Sequence, residues 1–235
     1  MNTFIKGVIM REFILANCST MIWIITAIEV VFGGMLYRLW KKTNHPMVLC
    51  ILFIDLGLFL DAFFIVLGTV VPNGLPEMVS RLRFISHGVL IPLMFPICGY
   101  GLKLKEKAMK VLWIATVLLM VAGFAQALAI DLEMKSLGSV LRHVSAETSP
   151  AWAEAISSML SFGTVIPSMI VGIIIWIKQK NPYLFLSGLF MFAFSALGPA
   201  TGNFDLIFFI SMIGEVFMVL FYYVFTQVFI QKQMN

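Results

Sequence analysis

Charge is scarce in this sequence. Only 12% of its 235 residues are Asp, Glu, Lys or Arg, about half the share of a soluble domain. That scarcity excludes a solvated globule, whose surface needs charge to stay dispersed. Histidine is scarcer still, with three copies, and no HExxH or clustered-histidine pattern occurs. A zinc hydrolase is therefore not indicated. No GxSxG is present, which removes the usual nucleophile elbow. The three cysteines, Cys18, Cys50 and Cys98, form no CxxC pair. They are expected to act as buried small hydrophobes rather than as disulfides or metal ligands. The net charge of +4 is not a nucleic-acid signature, because the basic residues fall mostly between apolar runs.

What the chain has in place of charge is long hydrophobic stretches. It is 60% hydrophobic with a mean hydropathy of +0.98. A helix needs about 20 apolar residues to cross a bilayer. The pattern predicts an all-α polytopic membrane protein, a bundle of seven transmembrane helices over 14–37, 47–71, 81–101, 109–130, 150–177, 182–200 and 204–230. These use up the chain as a single domain. No cleavable leader is expected, since the first apolar run is long enough to span and lacks a small-residue cleavage site.

Lys and Arg set the orientation. Arg38, Lys41 and Lys42 follow span 1, and Lys103, Lys105, Lys107 and Lys110 follow span 3. Lys178 and Lys180 follow span 5, and Lys232 follows span 7. With seven spans these fall on one side, opposite Glu77, Asp131, Glu133, Glu147 and Glu154. The N-terminus is then outside and the C-terminus cytoplasmic, in a multi-pass protein of the cell membrane.

Span 3 is the stretch around which the others are organised. It carries Arg83 and His87 one helical turn apart on one face, followed by Pro92 and Pro96, which remove backbone donors and bend the helix. Other spans hold Glu29, with Thr26 and Gly33 on its face, and Asp55, Asp61 and Glu215. Asp205 opens span 7. Asp55 and Asp61 stand six residues apart, so they point about 120° apart and address different neighbours. Span 5 has a row of small hydroxyls, Ser157, Ser158, Ser161, Thr164 and Ser168, of the kind that lets membrane helices approach and bond across the contact. The segment 131–153 reads as an interfacial helix or a lid-like loop. Ser149-Pro150 reads as a helix cap followed by proline at the first helical position. The heptapeptides starting at Gly88 and Gly163 share a Gly, Ile, Pro, Met spacing, but the other spans do not align at that offset, so no repeat is assigned.

Ionisable groups inside a membrane are costly and usually mark a pathway or a site. Ranked by depth, Asp205, Arg81 and Arg83 lie near the outer surface. His87, Asp61, Glu215, Glu29 and Asp55 then descend towards the cytoplasm. The leading expectation is a small transporter or channel-like protein moving a proton, cation or small solute along this ladder. Asp61, His87 and Glu215 are its central groups, and Arg83 with Asp205 forms an outer gate. Two alternatives stand beside it: a seven-helix sensor signalling through a separate partner, and an intramembrane enzyme acting on a lipid, with enzymology the less favoured. His87, Met94 and Cys98 share a face, but their spacing matches no ligand motif, and neither metal nor cofactor is expected. The expected partners are the lipid bilayer and a small solute, ion or lipid ligand, with no nucleic acid; a homo-oligomer is left open. The seven-span, N-out plan with an arginine in span 3 and an acid at the start of span 7 is similar in outline to the microbial rhodopsins. A retinal Schiff base needs a lysine inside span 7, and none is there, so the likeness implies architecture only.

Overall fold

The computed structural model describes residues 2–200 and 207–234, with side chains described over 12–196 and 209–232. Helix α1 covers Asn2–Thr43 and α2 covers Pro46–Leu67. Between them His45 caps α2, its Nδ1 accepting from the Met47 N–H at 3.2 Å, with Pro46 at the first helical position. The third helical stretch is broken. Helix α3 runs Glu77–Leu90, a 3-10 turn takes Ile91–Leu93, and α4 resumes over Met94–Gly101. Pro92 sits in the turn, where its missing donor prevents α-helical bonding. Pro96 falls in the first turn of α4, where its N–H would have had no helical partner.

Helix α5 spans Glu106–Ala129, α6 Ala151–Gln179, α7 Tyr183–Ala200 and α8 Ile207–Met234. Helices α7 and α8 run antiparallel, as the ring pairs Tyr183–Phe221, Phe190–Phe217 and Phe194–Phe217 show. Among the described residues, six segments are long and apolar enough to cross a membrane: Glu12–Thr43, Pro46–Leu67, Glu77–Gly101, Glu106–Ala129, Ala151–Gln179 and Phe209–Lys232. The apolar stretch Tyr183–Ala196 of α7 is shorter. Exposed Val111, Ile114, Leu118 and Val121 on α5, and Ile166, Ile170 and Ile177 on α6, give the bundle the apolar exterior that lipid, not water, solvates.

Helix limits differ from the sequence expectation by several residues. Helix α1 begins well before 14, because Lys6, Arg11 and Glu12 are polar yet good helix formers. Helix α2 stops at Leu67, short of 71, where Gly68, Thr69 and Val70 form turns. The segment after α5 corrects a larger expectation. It is neither an interfacial helix nor a loop but an antiparallel hairpin of β1, Leu132–Leu137, and β2, Val140–Ser145. Leu137 pairs with Val140, leaving a two-residue turn at Gly138-Ser139 with Gly138 at φ +56°. A glycine supplying positive φ is what such a tight turn demands. Ser149 is not a helix cap either. Its Oγ accepts from the Asp131 N–H at 3.1 Å and stands 3.2 Å from the Asp131 carbonyl, closing the base of the hairpin.

The hairpin seats on one end of the bundle. Cys18 Sγ lies 3.3 Å from the Leu137 carbonyl, and a Cβ on Gly68 would stand 2.1 Å from the Leu141 carbonyl. The opposite end gathers the basic residues. Lys232 Nζ donates to the Gln179 carbonyl at 2.5 Å, Gln179 Nε2 to the Gly101 carbonyl at 2.8 Å, and Lys103 lies over the Phe229 ring. Among the described residues, two apolar clusters fill the interior. One, around Cys18, Ile22, Ile65 and Met212, lies under the hairpin. The other, around Ile54, Met94, Tyr222 and Phe225, fills the basic half.

Candidate functional site

Asp61 lies six residues before the end of α2, and Arg83 six residues after the start of α3. At ~1.5 Å per residue, both sit about 9 Å below the hairpin end. That match in height makes the ion pair possible: Arg83 Nε is 2.7 Å from Asp61 Oδ1. The guanidinium is held from two further directions. Its Nη1 donates to the His143 carbonyl of β2 at 3.2 Å, and its Cζ lies 4.7 Å from the Phe84 ring centroid. Asp61 is thus an ionic partner of Arg83 among the described residues. Asp205 lies outside the described residues.

Beneath this pair lies a cavity of about 490 Å³ between the two apolar clusters. Its wall includes Asp61 from α2, Arg83 and His87 from α3, Gln126 from α5 and Glu215 from α8. Helix α6 contributes Ser157, Ser158, Ser161 and Thr164, and α7 contributes Ser195. The rest is soft and apolar: Met94, Met191, Met212 and Met218, with Phe84, Phe162 and Phe192. A cavity of this size, mostly apolar with few polar groups, is the ordinary form of a small-molecule site.

Two members of the expected ladder stand apart from it. Glu29 is fully buried on α1, and neither of its carboxyl oxygens has a hydrogen-bond partner. Asp55 is 2% exposed on α2. Its Oδ2 approaches Gly33 so closely that a Cβ there would be 2.8 Å away, and its Oδ1 is unpartnered. Neither residue lines the cavity. The structure therefore divides the ladder into a cavity group, Asp61, Arg83, His87 and Glu215, and two buried acids outside the cavity lining, Glu29 on α1 and Asp55 on α2. Asp61 faces α3 and Asp55 faces α1, as the 120° between them requires.

The hydroxyl row of α6 works differently from the sequence expectation. Ser161 donates to the Ser157 carbonyl, Thr164 to that of Leu160 and Ser168 to that of Thr164. These bonds are spent within the helix, and of the row only Ser168 has a described contact across an interface, 3.5 Å from Cys98 Sγ. The close approach of α6 to α7 comes from Gly172, where a Cβ would meet the Phe185 N at 2.4 Å. All three cysteines are free and buried. Among the described residues no group of three His, Cys, Asp or Glu is placed to hold a metal ion.

The site also uses residues outside the sequence expectation. Arg142 and His143 of β2 approach it from above. His143 is 8% exposed, and its Nδ1 lies 2.9 Å from Ser80 Oγ. Burial lowers its pKa, opposed by Glu77 and reinforced by Arg83 and Arg81. Burial, with Arg83 beside it, also lowers that of Arg142, against the pull of Asp61; it remains a guanidinium at neutral pH. The signal for both was the Leu137-Gly-Ser-Val140 turn, which places β2 back over the bundle. Arg81 has a structural part. It pairs with Glu77 at 2.6 Å, and its Nη1 donates to the carbonyls of Ala127, Leu128 and Ile130, closing the end of α5. The sequence matches no described protein family and no curated protein.

Proposed function

We propose that the chain is a small transporter of the cell membrane, a single seven-span domain with its N-terminus outside and the hairpin on the outer face. It moves a proton, cation or small solute through the α2/α3/α6/α8 cavity. The observation that carries this reading is the cavity itself. It brings Asp61, Arg83, His87 and Glu215 from three helices onto one wall, facing a row of hydroxyls in the middle of an apolar bundle. Asp61, His87 and Glu215 contact the solute, while Glu29 and Asp55 extend the acidic path towards the basic end. Intramembrane carboxyls arranged in this way are typical of proton relays and ion paths. The orientation is supported by the basic residues gathered at the end opposite the hairpin.

The test is proton flux in proteoliposomes, with the wild type compared with Asp61→Asn and Glu215→Gln, first alone and then with candidate solutes outside. Flux present in the wild type and lost in both variants is expected. Equal flux in all three would sink the assignment. An impermeant maleimide reacting with a cysteine placed at Glu133 from outside, and with one at Lys105 only after lysis, checks the orientation.

One observation favours a sensor as the second reading. Arg83 ties the hairpin to the cavity through the His143 carbonyl, so a ligand competing for Arg83 would release an outer element. Binding without flux would point there.

A further inference from the structure

We infer that the cavity takes an organic cation with an apolar body. This deepens the transport reading and rests on it for movement across the bilayer, while binding itself stands on the cavity's own charge and shape. The wall holds two carboxyls, Asp61 and Glu215, and one guanidinium, Arg83. Arg83 forms an ion pair with Asp61 at 2.7 Å, though its Nε lacks hydrogen-bond geometry there, donates to the His143 carbonyl and lies over the face of Phe84. Arg142 adds further positive charge on the hairpin side of that pair. Glu215 is 6% exposed, and its Oε2 is buried without a hydrogen-bond partner. The nearby titratable groups that bear on it are Asp61 and Arg83, with Glu29 behind it. One acidic oxygen therefore faces a wall whose guanidinium is already engaged.

This arrangement selects among ligand classes. An organic anion would need a cationic partner, and Arg83 is already taken up by Asp61. A bare metal ion would need several converging oxygens, and the described residues show no such group. It would also leave most of a 490 Å³ space unfilled. A cationic centre on an apolar body uses every part of the wall. The charge meets Glu215 in a low-dielectric setting where such a contact is strong. The body lies against Met94, Met191, Met212 and Met218, whose unbranched side chains adapt to irregular shapes. Phe162 and Phe192 also line the space, and aromatic rings attract organic cations through their quadrupole.

The purified full-length protein in detergent tests this by equilibrium dialysis with three probes. Tetraphenylphosphonium and tetraphenylborate share size and shape but differ in sign, and benzyltriethylammonium is a smaller cation. Saturable binding of at least one cation and no saturable binding of the borate are expected. Glu215→Gln should weaken cation binding by about tenfold or more, the scale of a buried charge-assisted contact. Glu106→Gln, an exposed carboxylate at the start of α5, should not. Borate bound as tightly as phosphonium, neither cation bound, or a Gln variant with unchanged affinity would each overturn the inference. If Glu215→Gln does not fold, carbodiimide labelling of Glu215 in the wild type decides. Benzyltriethylammonium should slow it, and no protection overturns the proposal. Cation binding without transport would keep the site and remove the transporter. Transport of another solute without cation binding would do the reverse.

Discussion

Replacing Asp61 with Asn tests the ion pair on which the cavity roof depends. Removing one partner of a buried pair typically costs about 3–5 kcal/mol, because the other charge is left uncompensated. Here the side chains of Arg83 and Asp61 are 11% and 15% exposed, and Arg83 would keep the His143 carbonyl and the Phe84 ring. The expected loss therefore falls just below that range, about 2–3 kcal/mol. For a chain of this length each 1 kcal/mol moves Tm by about 2–4 °C, so Asp61→Asn should melt roughly 5–10 °C below the wild type. Arg83→Gln should cost as much or more, since it also frees the hairpin. The double variant should recover most of the loss, because neither charge is then orphaned. Thermal melts of detergent-solubilised protein, followed by tryptophan fluorescence, measure all four corners of the cycle. Single variants within about 2 °C of the wild type, or fully additive losses, would show that the pair is solvated and couples nothing.

The remaining predictions concern packing and pH. Helices α3 and α5 touch at Gly88 and Gly123, where a Cβ on Gly123 would stand 2.1 Å from the Gly88 carbonyl. Gly123→Leu should force them apart and lower stability by about 1–3 kcal/mol or more, while Gly34→Ala, with open space around it, should leave the melting curve unchanged. His143 has its pKa lowered in the folded state by burial, so the unfolded chain takes up the proton first as pH falls. Hairpin stability should hold above about pH 7 and decline as pH drops through about 6.5, read as the rate of tryptic cleavage at Arg142. His143→Gln should flatten that decline, and an identical profile in the variant would refute the assignment. His45 caps α2 through an unprotonated Nδ1, and burial lowers its pKa as well. His45→Ala should cost about 1 kcal/mol by the same melts, and His45→Asn, which can still accept, only a few tenths.

Much of this protein is decided by sequence alone. Apolar runs of spanning length fix the helices, because a chain that cannot hydrogen-bond to lipid must satisfy its backbone internally. The clustering of Lys and Arg in alternate loops was equally legible, and the structure collects Lys103 and Lys232 at one end. Sequence also showed which residues are out of place in an apolar bundle, since Glu29, Asp55, Asp61, Arg83, His87 and Glu215 stand out against their neighbours. It could not show how they divide. Whether Arg83 meets Asp61, and whether Glu29 and Asp55 line the cavity, depends on how α1, α2, α3 and α8 are rotated and staggered. Side-chain packing across chain-distant contacts sets those rotations, and no local pattern records them. The hairpin shows the same limit. Gly138 marks the turn locally, but the hold of β2 on Arg83 joins residues 60 positions apart. The cavity is the furthest from the sequence, because it is a space left between two apolar clusters and bounded by side chains from α2, α3, α5, α6, α7 and α8.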